Sequence, residues 1–257
     1  MRVVNSLVER CFAVVELLAT DAAAMRLGEV AERLDIQKSA AHRMLTVLCE
    51  IGWVEQDAAT GFYKLTLRLA ILGQRFLSAT RLTDVCQPVL EELAAKSSDL
   101  VRMAVVQGET LTWITQIQGA HHGLKYQPEL VATVRLVSTA NGKAYLSSLE
   151  DKEALRIGLN TPDGKAYAGG VDALMKELRA TRERGWAISV EEAESGVVAI
   201  AAPIALTEGH VVGTVSVAGP SSRLTSERYD SIASAVQSAA RQLGELWPLR
   251  SQPGAPH

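Results

Sequence analysis

The order of helical and strand-like patterns near the N-terminus constrains the fold more than any other feature. Apolar residues at helical spacing predict a helix over residues 7–18 and a shorter one over residues 27–34. Asp35 and Ile36 interrupt the pattern, and a third helical pattern follows over residues 37–49. Helix, short helix, tight turn and helix is the order of a helix-turn-helix.

Two short runs rich in β-forming residues come directly after the third helix. They span residues 53–56 and 62–65, and turn-forming residues between them include Asp57 and Gly61. This loop length and its glycine suit a β-hairpin. Because a hairpin directly behind a helix-turn-helix is a wing, residues 1–66 are predicted to form a winged helix-turn-helix domain.

The third helix is expected to carry a polar stripe. Its polar and cationic side chains recur at three- and four-residue spacing and therefore share one face. Arginine and lysine can reach guanine edges or phosphates. On an isolated helix such a stripe is more often a solvated face, but the preceding helices and the wing favour DNA recognition. The predicted DNA-binding residues are Arg10, Lys38, Ser39, His42, Arg43, Thr46, Tyr63 and Lys64.

The composition is that of an ordinary globular protein. The chain has 257 residues, which is enough for two domains. Of these residues, 47% are apolar and 21% are charged. Its net charge of −3 argues against a protein that coats nucleic acid, but it leaves room for a local cationic face. No apolar run approaches the roughly 18 residues of a membrane span, and no signal peptide is apparent. We therefore expect a cytoplasmic protein with no membrane partner.

Residues 67–97 contain two further helical patterns, which are predicted to link two domains. Thr66 is placed to cap the first of these helices. We expect the domain boundary near Thr80 and dimerisation through the linker helices.

Residues 98–248 mix strands and helices without strict alternation. Strands are predicted over residues 101–106, 111–117 and 186–190, and helices over residues 140–149, 171–184 and 225–246. The stretches VVAIAAPIAL and VVGTVSVAG predict a buried antiparallel hairpin. This mixture favours an α+β domain with an antiparallel sheet. Residues 249–257 are expected to form a disordered tail.

Four stretches of the chain carry a family resemblance. They read LGEVAERLDIQKSAAHRMLTVLCEIGWVEQDAATGFYKLTLRL in the first half and VRLVSTANGKAYL, RGWAISVEEAESGVVAIAAPI and VSVAGPSSRLT in the second. In this order they resemble the isocitrate-lyase-regulator (IclR) family of bacterial transcription factors over nearly the whole chain. The resemblance implies a transcriptional regulator with a GAF/PAS-like effector domain, which binds double-stranded operator DNA as a homodimer or a dimer of dimers.

The resemblance also implies an effector pocket in the second half. Family members often have an acid at the position of Ser189, a cysteine at that of Ala199 and a serine at that of Ala218. These departures remove charge and polarity from the pocket, and Tyr126 adds a ring. A mainly apolar pocket with a few polar groups suits a ligand with an aromatic or mixed character. We therefore expect the effector to be a small organic acid, aromatic in the favoured case. The implied pocket residues are Gly123, Tyr126, Val134, Ala140, Asn141, Ser189, Val197, Ala199, Ser216 and Ala218.

Two questions about this pocket stay open at the level of sequence. The backbone N–H groups of residues 140–142 are candidates to hold a carboxylate at a helix start, with plain helix-start chemistry as an equal alternative. Arg102 and Trp113 are candidates for the pocket wall or for the core, because the sequence does not show to which face of the sheet their side chains project.

Other kinds of site have little support. His121 and His122 are adjacent, so on a strand they would point to opposite faces, and no further ligands lie nearby. Residues 141–143 do not form a phosphate-binding loop, and no common hydrolase motif occurs. We expect no metal, no cofactor and no enzymatic activity. The alternative to a DNA-binding regulator is a ligand-sensing or protein-interaction module without sequence-specific DNA binding.

Overall fold

The computed structural model describes residues 7–20, 24–128, 133–167 and 169–248. The predicted disordered tail at 249–257 lies outside these residues. The chain divides into two compact units, Met1–Ala79 and Thr80–His257. Within the described residues, no helix is both long and apolar enough to cross a membrane.

The first unit is a winged helix-turn-helix, as predicted. Three helices precede a two-stranded antiparallel hairpin, and a fourth helix follows it. The elements are α1 (Leu7–Thr20), α2 (Leu27–Arg33), α3 (Lys38–Glu50), β1 (Val54–Gln56), β2 (Tyr63–Leu65) and α4 (Arg68–Thr80). Thr66 caps the start of α4, since its Oγ1 accepts a hydrogen bond from the Arg68 N–H at 3.3 Å.

The turn between α2 and α3 is fixed by backbone geometry. Asp35 adopts a left-handed conformation with φ of 52°, and the Ile36 N–H donates to the Ala31 carbonyl at 3.0 Å. A left-handed residue reverses the chain just after a helix end. This turn directs α3 so that Leu45 and Leu48 join Val14 in the core of the unit.

The second unit contains a five-stranded antiparallel sheet with helices. Its strands lie in the order β4-β3-β7-β6-β5. The elements are α5 (Leu82–Ser97), β3 (Leu100–Gln107), β4 (Thr110–Gln118), α6 (Ala140–Ser147), α7 (Asp151–Leu159), α8 (Pro162–Lys165), α9 (Gly170–Arg184), β5 (Ala187–Val190), β6 (Val197–Ala205), β7 (Val211–Pro220) and α10 (Tyr229–Leu246), with a 3₁₀ turn at Ser226–Arg228. The predicted α+β class is confirmed, whereas α7 and α8 were not predicted.

The two faces of the sheet pack against different helices. Val101, Ile200 and Val217 lie in a core shared with α5 and α10. The neighbouring residues on each strand point to the opposite face, where α6 packs on β6 and β7. This second face carries the candidate effector site.

Candidate functional sites

One side of α3 is exposed and polar. Ala41, Met44, Leu45 and Leu48 are buried against the rest of the first unit, so the side chains between them project to solvent. The five residues predicted for DNA recognition on this helix are all exposed, namely Lys38, Ser39, His42, Arg43 and Thr46. A helix with this exposure can enter a major groove.

The wing presents Lys64 but not Tyr63. Lys64 is exposed, and its ammonium lies 2.9 Å from the Glu55 carboxylate on the opposite strand. Tyr63 is only 5% exposed and packs in the core of the unit, so its prediction as a DNA contact is wrong. Adjacent strand residues point to opposite faces, and this alternation argues against predicting both side chains on one face. Arg10 is half-buried on α1.

The wing is braced at its tip and its base. Asp57 Oδ1 accepts hydrogen bonds from the backbone N–H groups of Ala59 and Thr60, at 2.9 and 2.8 Å. The Arg26 guanidinium lies over the Phe62 ring, 4.9 Å from its centroid. These contacts hold the hairpin in one conformation beside α2.

A small cavity of about 50 Å³ lies on the second face of the five-stranded sheet. Seven of the ten predicted effector residues line it: Tyr126, Asn141, Ser189, Val197, Ala199, Ser216 and Ala218. The wall also includes Arg102, Trp113, Thr139 and Ala193. Arg102 and Trp113 were left open at the level of sequence, and Thr139 and Ala193 were not predicted.

Three predicted residues do not line this cavity. Val134 is buried in a hydrophobic cluster with Leu111, to whose carbonyl its N–H donates at 2.8 Å. Ala140 packs in a small alanine cluster with Ala201. Gly123 has a φ of 78° in an exposed loop, where it provides a left-handed turn.

Strand pairing brings the cavity residues together. Ser216 on β7 is paired with Arg102 on β3 and with Ala201 on β6. Ala199 is paired with Ser189 on β5 and with Ala218 on β7. Paired residues of antiparallel strands project to the same face, so four strands contribute side chains to one wall.

Arg102 places a buried positive charge at this wall. Its side chain is only 6% exposed, and the guanidinium lies 3.7 Å from the centroid of the Trp113 ring. Burial lowers the pKa of Arg102 to about 10, although the Tyr126 phenol acts in the opposite direction. The guanidinium therefore stays charged at neutral pH.

Tyr126 adds a phenol next to two charges. Burial, followed by the charge of Glu194 and a hydrogen bond to it, raises the pKa of Tyr126 to about 12, while Arg102 and Arg135 oppose this shift. The phenol therefore remains a hydrogen-bond donor throughout the physiological range. It lies within electrostatic reach of both Arg102 and Glu194.

The start of α6 follows helix-start chemistry. Thr139 Oγ1 accepts a hydrogen bond from the Gly142 N–H at 3.0 Å, as an N-cap does. A side chain at Gly142 would overlap the backbone of Leu136. The Gly142 N–H is thus used within the fold, which favours helix-start chemistry over ligand binding at this residue.

Buried polar groups on α6 are also satisfied within the protein. Asn141 Nδ2 donates to Thr214 Oγ1 at 2.9 Å. Lys143 is buried, and its ammonium lies 2.6 Å from the Glu192 carboxylate. Among the described residues, no group of three or more His, Cys, Asp or Glu residues is arranged to hold a metal ion.

Comparison with known proteins agrees with this architecture. The family model for the IclR helix-turn-helix domain matches residues 7–58, and the model for the C-terminal part of bacterial transcriptional regulator IclR matches residues 74–245. The HTH-type transcriptional repressor AllR of Escherichia coli (strain K12) is 27% identical over 248 residues, which cover 95% of this chain and 91% of the relative. The matched relatives are transcriptional repressors and regulators, not enzymes.

Two solved structures share the fold. An IclR transcriptional regulator from Alicyclobacillus acidocaldarius has a TM-score of 0.80 at 21% identity, over 94% of this chain and 98% of that one. An IclR homologue from Microbacterium hydrocarbonoxydans, complexed with 4-hydroxybenzoate, has a TM-score of 0.78 at 20% identity, over 95% of this chain and all of that one (100%). With both domains matched in order, the chain belongs to the IclR family and is a DNA-binding transcriptional regulator with a C-terminal effector-binding domain.

Proposed function

We propose that a small organic acid with an aromatic ring binds in the cavity of the second unit and changes the affinity of the protein for operator DNA. The observation that carries this proposal is the buried Arg102 guanidinium, stacked on Trp113 at the cavity wall. An arginine fork can bind both oxygens of a carboxylate. The adjacent indole offers an apolar surface for a ring.

The rest of the wall fits an aromatic body. Val197, Ala199 and Ala218 are apolar, and Ser189 Oγ already donates to the Ser138 carbonyl at 2.8 Å. A mainly apolar pocket with a few placed polar groups favours a ring over a short, strongly hydrated acid. Since the Microbacterium homologue is complexed with 4-hydroxybenzoate, this acid is the first compound to test.

The cavity has to widen to accept a ring. A core cavity of about 150 Å³ accommodates benzene, whereas this cavity measures about 50 Å³. Tyr126 is half-buried and belongs to a loop, not to a strand of the sheet. We expect rotation of its side chain, away from Glu194, to provide most of the added volume.

The DNA-binding surface in this proposal is the exposed face of α3 with the wing beside it. Arg43 and Lys38 carry its positive charge, and Lys64 extends this charge to the wing once it leaves Glu55. Tyr63 is excluded by its burial. The proposed contacts are Arg10, Lys38, Ser39, His42, Arg43, Thr46 and Lys64.

The proposed assembly is a homodimer, or a dimer of dimers, on a roughly palindromic operator. Helix α4 has no buried residue, and several of its apolar side chains are exposed. Pairing of two such helices would bury these side chains. It would also present two winged helix-turn-helix domains to the two half-sites of the operator. In this scheme the effector favours one arrangement of the dimer and so shifts its affinity for DNA.

Calorimetric titration tests the effector part of the proposal. We expect 4-hydroxybenzoate and benzoate to bind more tightly than glyoxylate, because only the aromatic acids fill an apolar cavity. In Arg102→Met, affinity for 4-hydroxybenzoate should fall at least about tenfold, which is the loss expected for a hydrogen bond to a charged group. Affinity for 4-hydroxybenzyl alcohol should not change, since this compound lacks the carboxylate.

The same titrations contain the outcomes that would refute the proposal. Tighter binding of glyoxylate would remove the aromatic ring from it. Equal losses for the acid and the alcohol would show that Arg102 maintains the fold without binding the carboxylate. Arg241→Met, at an exposed position on α10, controls for the loss of an arginine elsewhere in the same unit.

A further inference from the structure

A loop without helix or strand carries Tyr126 to the cavity. The loop follows β4, and its described residues are 119–128. The Gln118 side chain binds the loop at two points. Its Nε2 donates a hydrogen bond to the Tyr126 carbonyl and its Oε1 accepts one from the Ala120 N–H, each at 3.0 Å. Residues 121–125 between these points are exposed.

Arg223 holds the exposed part of this loop from outside the cavity. Its Nη1 donates to the Leu124 carbonyl at 2.9 Å. The same guanidinium donates through Nε and Nη2 to Asp99 Oδ1, at 2.8 and 2.5 Å. Arg223 does not line the cavity, so any effect it has on a ligand must act through the loop.

Asp99, the other partner of Arg223, is buried and closely packed. Asp99 is fully buried between α5 and β3, and a side chain at Gly219 would overlap its carboxylate. The Arg228 guanidinium lies 3.7 Å from Asp99 Oδ2 and also donates to the Ser97 carbonyl at 2.9 Å. Arg223 thus connects an exposed loop to a buried, tightly packed charge cluster.

We infer that Arg223 is a positioning residue for the effector site, because it holds the Tyr126 loop over the cavity by bridging Asp99 and the Leu124 carbonyl. This inference rests on the proposed function, since it takes the cavity as the effector site. A loop held before the ligand arrives loses less conformational freedom on binding, and this increases affinity. The contact also connects the cavity mouth to the end of α5, the helix that leads into the sheet.

Arg223→Lys tests the hydrogen bond to the Leu124 carbonyl separately from the ion pair with Asp99. A lysine ammonium can stay beside Asp99 and keep the buried charge compensated, but it lacks the fork that reaches Leu124 at the same time. Arg182→Lys is the matched control, since Arg182 bridges Asp151 and the Ser147 and Leu149 carbonyls away from the cavity. A second variant, D99N/R223M, removes both charges and retains the volume beside Gly219.

Hydrogen exchange, the Tm and ligand affinity, all measured on the whole 257-residue chain, test the inference. In Arg223→Lys, amide hydrogen exchange over residues 119–126 should become faster, while exchange in the sheet and the Tm stay close to wild type. Affinity for 4-hydroxybenzoate should fall about tenfold, the order expected for one lost hydrogen bond to a charged group. Arg182→Lys should change neither loop exchange nor affinity, and D99N/R223M should reproduce the faster exchange.

The outcomes distinguish this inference from the proposed function. The role of Arg223 would be overturned by unchanged loop exchange in Arg223→Lys. It would also be overturned if Arg223→Lys bound 4-hydroxybenzoate as tightly as wild type, or more tightly, while Arg102→Met weakened this binding. Either outcome would leave the effector site in place. If no aromatic acid binds the wild-type protein, the proposed ligand class is wrong, while loop exchange still decides whether Arg223 holds the loop.

Discussion

At the scale of single residues, Arg43 lies within the exposed stripe of α3. Arg43→Ala should weaken operator binding by about 1–3 kcal/mol if the guanidinium contacts a base. Effector affinity should stay unchanged, because Arg43 belongs to the other unit. Fluorescence anisotropy with DNA from upstream of the gene, at two salt concentrations, measures the first effect, and calorimetry the second. Arg241→Ala is the control, and equal loss of both activities in a folded Arg43→Ala protein would contradict this division.

Tyr126 predicts a dependence of stability on alkaline pH. Burial raises its pKa from 10.0 to about 12, so the folded protein holds this proton more tightly than the unfolded chain. The resulting stabilisation is complete below pH 10 and is lost as the pH rises towards 12. Thermal melts of wild type and Tyr126→Phe between pH 8 and about 12 should therefore show the wild type losing stability faster. Parallel curves would mean that the phenol is not held in this environment.

At the scale of elements, the close approach of α6 to the segment before it depends on Gly142. A methyl group there would overlap backbone atoms of Leu136 and Arg135, which cannot move independently. Gly142→Ala should cost about 3 kcal/mol or more, which lowers the Tm of a unit of this size by roughly 10 °C. Gly28→Ala on α2 is the control, since outside its own helix its added Cβ would meet only the flexible end of Lys38, at 3.9 Å. Equal Tm values for the two variants would contradict this account of α6.

The helices of the first unit could be predicted closely from the sequence, and parts of the second could not. In α3, Leu45 and Leu48 face the core at helical spacing, so local periodicity defines the helix. Helix α7 buries only three residues, Ala154, Ile157 and Gly158, two of which are small. Its nine residues make little more than two helical turns, so the apolar pattern is short and a helix there was not predicted.

The cavity wall was only partly predictable for a different reason. The pairing of β3 with β4 shifts register between Met103 and Ala104, so Ile114 is the extra residue of a bulge. A bulge breaks the alternation of side chains along a strand, and the side on which Trp113 lies could not be counted from the sequence. Arg223 lies 124 positions from Asp99 and 99 from Leu124, and no local sequence pattern indicates contacts over such separations.

At the scale of the whole molecule, the exposed apolar side chains of α4 predict an assembly. Phe76 is 66% exposed, so a charge at this position costs the monomer little. Phe76→Glu should weaken the dimer at least tenfold, about 1.4 kcal/mol, because pairing would bury the charge. Sedimentation velocity measures the dimer, and operator binding should fall with it. Val171→Glu, at an exposed apolar residue of the second unit, is the control, and an intact Phe76→Glu dimer would exclude α4 from the interface.

The small size of the effector cavity affects the effector concentration at which the regulator responds. If only a minor, widened population accepts a ligand, the apparent dissociation constant equals the intrinsic one divided by that population. The concentration of metabolite that triggers a response then depends on how easily Tyr126 leaves Glu194, as well as on the contacts made afterwards. Glu194 does not line the cavity. Substitutions there would therefore change the effector concentration needed for a response, while Arg102 and the apolar wall would still determine which ligand is preferred.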